Sequence, residues 1–122
     1  MNDPVRIYHN PHCPSSVHAV RIADELGVGA EVIVYQATPP DRATLLWIAN
    51  HLEDPPADLV RKDSLFKKLA LDEADYVTPE AVADLLAERK MLLQRPVVIR
   101  GDRAIIGRPK ERVRALLVKP IG

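Results

Sequence analysis

The stretch I-Y-H-N-P-H-C-P-S-S, Ile7 to Ser16, decides how the rest of this sequence is read. Its start closes a short β-branched and aromatic run, Val5 to His9, which reads as a buried strand. Turn residues follow. Apolar residues then return at helical spacing, Ala19, Val20, Ala23 and Leu26, until Gly27 offers a natural stop. At the junction sits Cys13, the single cysteine of the chain. Proline is favoured at the first helical position, because its missing N–H needs no partner there. With Pro14 in that place, Cys13 becomes the N-cap and its sulfur faces the free N–H groups of the first turn. The helix dipole and direct hydrogen bonds then favour the thiolate. Ser15 and Ser16 add hydroxyl donors, and His9 and His12 lower the thiol pKa further if protonated. A filler cysteine sits on an apolar face. One placed in a His-Cys-Pro-Ser turn reads as a reactive thiol.

Working outward, Ala30 to Gln36 reads as a second strand, so the order strand–helix–strand implies a right-handed crossover between parallel strands. Thr38 to Leu52 starts with turn residues and continues as a helix with Leu45, Ile48, Ala49 and Leu52 on one face. Short helices follow, with a break near Lys62 and Asp63. Thr78 is an N-cap and Pro79 a first helical residue. Arg95 to Gly107 reads as a hairpin turning at Gly101-Asp102. A last helix places Val113, Leu116 and Leu117 on one side. The predicted fold class is α/β: a thioredoxin-like βαβ–ββα mixed sheet with a helical insert at about residues 40–92, in one domain spanning 1–122. In that plan the catalytic thiol follows the first strand and begins the first helix, where Cys13 falls.

The chain of 122 residues is 47% apolar, enough for one core. Its 17 basic and 17 acidic residues cancel, which argues against bulk binding of nucleic acid or membrane. No signal-like start and no run of ~20 apolar residues is present, and a lone cysteine makes no internal disulfide. The expected compartment is the cytoplasm. No His, Cys or acidic spacing suits a metal. His18 and His51 read as solvent-facing helix residues and Trp47 as packing. Ser16 occupies the place of the second cysteine in a C-x-x-C motif, so any disulfide of Cys13 forms with another molecule.

Arg61 lies in L-V-R-K-D, Arg95 precedes Pro96 at the start of the third strand, and Arg108 lies in G-R-P-K-E before the last helix. A residue before proline is held extended, and a guanidinium offers a planar, bidentate grip on an anion beside a thiolate. Spacing alone does not separate these three from surface arginines.

Taken together, four segments resemble the glutaredoxin-coupled arsenate reductases, a thioredoxin-like family related to the Spx regulators. They are His9-Asn10-Pro11-x-Cys13, Leu59-Val60-Arg61-Lys62, Arg95-Pro96-Val97-Val98 and Gly107-Arg108-Pro109-x-Glu111, in the family's order and at matching spacing. The resemblance implies an oxidoreductase reducing arsenate to arsenite, with Cys13 as nucleophile. It also implies that Arg61, Arg95, Arg108 and Ser16 hold the oxyanion and that His9, Asn10 and Pro96 support the loop. Glutathione as co-substrate would attack the Cys13 adduct, and glutaredoxin as partner would release arsenite. No metal or bound organic cofactor is implied. The sequence departs from the pattern at Pro14, which removes an N–H, and at Val17, where the family commonly carries arginine. Two other readings stay open: a glutathione-dependent thiol reductase of another substrate, and an Spx-like regulatory binding protein.

Overall fold

The computed structural model describes residues 4–118. In chain order the elements are β1 (Val5–His9), α1 (Pro14–Glu25), β2 (Ala30–Val34), α2 (Arg42–His51), α3 (Ser64–Lys68), α4 (Pro79–Glu88), β3 (Val97–Arg100), β4 (Arg103–Ile106) and α5 (Glu111–Leu117). Short 3-10 turns lie at Pro56–Leu59, Glu73–Asp75 and Lys90–Leu92. The strands form one sheet in the order β2-β1-β3-β4, with β1 parallel to β2 and antiparallel to β3, and β3 antiparallel to β4. This is the predicted thioredoxin-like βαβ–ββα plan. β2 ends at Val34, two residues before the predicted end at Gln36, because the N–H groups of Ala37 and Thr38 both turn back onto the Val34 carbonyl.

Alternation along the strands sorts the side chains into two layers. Val5, Ile7, Val98 and Ile105 pack with Ala19, Ile22, Val113 and Leu116, so α1 and α5 cover one face. Tyr8, Val97, Ile99, Ala104 and Ile106 face the other way, onto Leu45, Ile48, Val82 and Leu86 of α2 and α4. Ile7, Val97 and Val98 are fully buried, each worth about 1.5–3 kcal/mol relative to exposure.

Side-chain caps start the insert helices where the sequence changes from turn to apolar period. Asp41, Asp63 and Thr78 accept hydrogen bonds from the N–H groups of Thr44, Phe66 and Ala81, each cap contributing about 1 kcal/mol. Gly27 closes α1 at φ +68°, a left-handed conformation that costs a side chain more. His51, expected to face solvent, is half-exposed and stacks on Trp47 one turn away on α2, with ring centroids 4.0 Å apart and Nδ1 bonded to the Trp47 carbonyl.

The insert is tied to the strand that carries Arg95. Val60 and Leu93 form an antiparallel bridge. The Arg61 N–H donates to Leu92 O at 2.7 Å, and the Gln94 N–H donates to Leu59 O at 2.8 Å. The chain is thereby anchored one residue before the Arg95–Pro96 pair.

Candidate active site

Cys13 caps α1 with extended backbone, φ −104° and ψ 119°, and Pro14 is the first helical residue, as the sequence predicts. The loop before it is closed by its own polar groups. The Cys13 N–H donates to Asn10 O at 3.0 Å, the His12 N–H to Asn10 Oδ1 at 2.9 Å, and the Asn10 N–H to Ser16 Oγ at 3.2 Å. Asn10 and Ser16 are both buried, so these bonds are protected from water. Asn10 thus shapes the loop that presents the thiol. Ser16, expected at the oxyanion, is fully buried and spends its oxygen on the loop.

Two arginines reach this thiol from the opposite end of the sequence. Arg108 Nη2 lies 3.2 Å from Cys13 Sγ, and its Nε donates to the carbonyl of Arg95 at 2.8 Å. The Arg95 side chain also favours the thiolate form of the sulfur. Both arginines precede cis prolines, Pro96 and Pro109.

The thiol is 5% exposed. Burial pushes its pKa up. The Ser16 N–H, the Arg95 guanidinium, the Ser15 N–H and the Arg108 charge together outweigh that and bring it down to about 7. The sulfur closes no cap hydrogen bond of full geometry, so the first-turn N–H groups act on it as oriented dipoles.

His9 does not contribute as expected. Burial pushes His9 below its ordinary value, with partial compensation from the Ser16 backbone, so the ring is held neutral rather than offering positive charge to the thiol. The thiolate is therefore the work of backbone dipoles and arginine. Accordingly, alkylation of Cys13 is expected to rise through a midpoint near pH 7 and level off above it, whereas a free cysteine rises through ~8.5. A pH series with iodoacetamide measures this.

Arg61 is placed differently. Its Nη1 pairs with Asp63 at 3.2 Å, and no hydrogen bond joins it to the thiol among the described residues. The structure thus brings together Cys13, Arg95, Arg108, Asn10 and Ser16, and holds Arg61 in an ion pair with Asp63.

Two features to which the sequence reading gave no role hold Arg108 in place. One is the pair Asp54 and Arg112. Arg112 Nη1 contacts Asp54 Oδ1 at 2.8 Å, Ile106 O at 3.1 Å and Arg108 O at 3.4 Å, while the Ile106 N–H donates to Asp54 Oδ2. The pair clamps the backbone on both sides of Gly107. The other is Gly107 itself, whose N–H donates to Pro96 O at 2.8 Å. A Cβ there would lie 2.7 Å from the Pro96 ring and 2.9 Å from Val113, inside contact distance of two packed groups. Gly107→Ala is expected to cost about 1–3 kcal/mol, seen as a lower urea midpoint, and to raise the Cys13 alkylation midpoint as Arg108 shifts. Neither feature has a signal in sequence beyond a glycine and two charged residues.

Among the described residues, no group of three or more His, Cys, Asp or Glu side chains is placed to hold a metal ion. No helix there is long and apolar enough to cross a membrane.

Residues 8–116 match the model of the ArsC family. The chain belongs to the ArsC family. An ArsC relative named arsenate reductase, from Neisseria meningitidis, is 38% identical over 115 residues, covering 93% of this chain and 97% of that one. The solved structure titled arsenate reductase from Vibrio cholerae superposes with a TM-score of 0.82 at 29% identity, covering 97% of this chain and 100% of that one. A putative arsenate reductase from Yersinia pestis gives a TM-score of 0.79 at 32% identity, covering 89% and 96%. The ArsC match spans β1 to α5 and so contains Cys13, Arg61, Arg95 and Arg108.

Proposed function

We propose that this ArsC-family protein reduces arsenate to arsenite through Cys13, with glutathione and glutaredoxin as reductants in the cytoplasm. The observation that carries the reading is the Cys13 thiol, lowered to about 7 and gripped by Arg95 and Arg108. Arg95 Nε is buried without a partner, and a buried donor left unpaired is costly. Beside a nucleophilic sulfur, that donor suits an oxygen of a tetrahedral oxyanion.

The Cys13 thiolate attacks arsenic, forming an S–As bond while one arsenate oxygen leaves as water after protonation. Arg95 and Arg108 neutralise the oxyanion oxygens as charge redistributes, with Arg61 free to join by leaving Asp63. The sulfur of glutathione attacks the same arsenic and a second oxygen leaves as water. A glutaredoxin thiolate then attacks the glutathione sulfur, giving a mixed disulfide. The S–As electron pair passes to arsenic, which becomes As(III). Water displaces Cys13 from it, releasing arsenite and restoring the thiol. The two electrons come from one glutathione and one glutaredoxin thiol, so one cysteine in this chain suffices. Ser16 keeps the loop in register and its N–H supports the thiolate, while His9, Asn10 and Pro96 shape the walls.

Arsenite formation in the presence of glutathione and glutaredoxin tests the reading. Its absence from the wild-type reaction would overturn it.

A second reading has a specific observation in its favour. Pro14 takes one N–H from the first turn, Val17 places no charge there, and the Ser16 oxygen is engaged by Asn10. A glutathione-dependent thiol reductase needs the thiolate but not the full anion pocket. Reduction of a glutathionylated peptide without any arsenite formation would select it.

A further inference from the structure

A cleft of about 330 Å³ has Cys13 in its wall, and neither Arg95 nor Arg108 lines it. Pro11, Pro14 and Val17 form its apolar part, and His12, His18, Arg21 and Lys110 its polar part. No acidic residue lines it. Arg21 and Lys110 have no carboxylate partner among the described residues, whereas Arg42, Arg61, Arg103, Arg112 and Arg114 each have one. Arg21 lies one helical turn beyond Val17, so the two share a face of α1. A positive charge absent at residue 17 is thus present one turn further along α1.

A cleft of this kind offers positive charge to an anionic group on a molecule that reaches the sulfur in its wall. We propose that the cleft seats a small thiol or disulfide bearing carboxylates, glutathione being the probe that fits. Arg21 and Lys110 take the carboxylates, and Pro14 and Val17 take the aliphatic part. The proposal rests on the reading above for its place in the cycle, since the reductant must approach Cys13 from the side that Arg95 and Arg108 do not occupy. It makes the exposed valine a contact: Val17, 38% exposed, is one of the few large apolar side chains left facing water near the site. The separation of roles is physical. The oxyanion side is made of guanidinium bound to backbone and sulfur, and the reductant side of unpaired cations on a helix and a turn.

Thiol–disulfide exchange tests the cleft without arsenate. The Cys13 thiolate attacks one sulfur of glutathione disulfide, forms the Cys13–glutathione disulfide and expels a glutathione thiolate. The rate is compared with that for 2-hydroxyethyl disulfide, which carries no charge, and both products are read by mass spectrometry. In Arg21→Ala/Lys110→Ala the ratio of the charged to the neutral rate is expected to fall about fivefold or more, and the wild-type ratio to fall with added salt. A ratio unchanged by the double substitution would overturn the proposal, as would an equal loss of both rates. The arsenite assay is a separate readout. If wild type makes no arsenite while the exchange ratio falls as expected, the catalytic reading fails and the cleft stands. If arsenite forms and the ratio does not change, the reverse holds.

Discussion

Cys13→Ser is expected to bring arsenite formation to background, a loss of at least ~10³-fold, while leaving the fold intact. Two physical reasons make the effect total. A serine hydroxyl does not ionise near neutral pH, so the charge that Arg95, Arg108 and the first-turn N–H groups stabilise is never formed. Oxygen also lacks the capacity of sulfur to be handed between arsenic and a second thiol. The fold is spared because residue 13 is an N-cap, a position where serine is among the best residues. The measurement is paired: arsenite production with glutathione and glutaredoxin, and thermal unfolding. Unchanged unfolding with abolished turnover assigns the loss to chemistry. Activity within tenfold of wild type would remove Cys13 from the mechanism.

Arg108→Ala is expected to move two quantities together. Arg108 touches the sulfur through Nη2 and the Arg95 carbonyl through Nε, so its loss frees the thiol from one cation and loosens the backbone that carries the other. The alkylation midpoint should rise from about 7 toward the ~8.5 of a free thiol. The sign follows from the charge state: the arginine favours thiolate, so removing it shifts ionisation to higher pH and leaves less nucleophile at neutrality. Activity at pH 7 should fall roughly 10²–10³-fold, the scale for removing one preorganised donor from a developing oxyanion. Raising the pH to about 9 should recover the part due to ionisation, not the part due to oxyanion binding, which separates the two. Arg108→Lys keeps a charge but not the fork. It should hold the thiol midpoint low while still losing turnover. An alanine variant with an unshifted midpoint and full activity would show that the contact at 3.2 Å has no chemical role.

How much of this was legible before folding is clearest at Cys13. The strand, the helix start and the N-cap were written locally in Ile7 to Ser16, because period, proline and turn residues act over a few positions. The insert helices announced themselves through Thr78, Pro79 and the apolar face of α2, and the hairpin through Gly101-Asp102. Arg95 and Arg108 were visible as motif residues, but their effect on the thiol was not. Nor was the neutral state of His9, since burial is a property of the assembled core.

The sequence by itself determined the element order, the helix start at Pro14, the exclusion of an internal disulfide and the family. Those follow from short-range sterics, from counting thiols and from motif order. Only the tertiary structure decided which cations meet the thiol. Arg108 lies 95 residues from Cys13 in sequence and 3.2 Å from it in space. Its approach depends on the β1–β3 pairing, on Gly107 lacking a Cβ against Pro96, and on the Asp54–Arg112 clamp. Tertiary packing also brought Arg21 and Lys110, without a carboxylate partner among the described residues, into one cleft with the sulfur. Charge in a sequence has no direction until the backbone assigns it a neighbour, and here that assignment puts Arg108 on the sulfur and Arg21 and Lys110 in the cleft beside it.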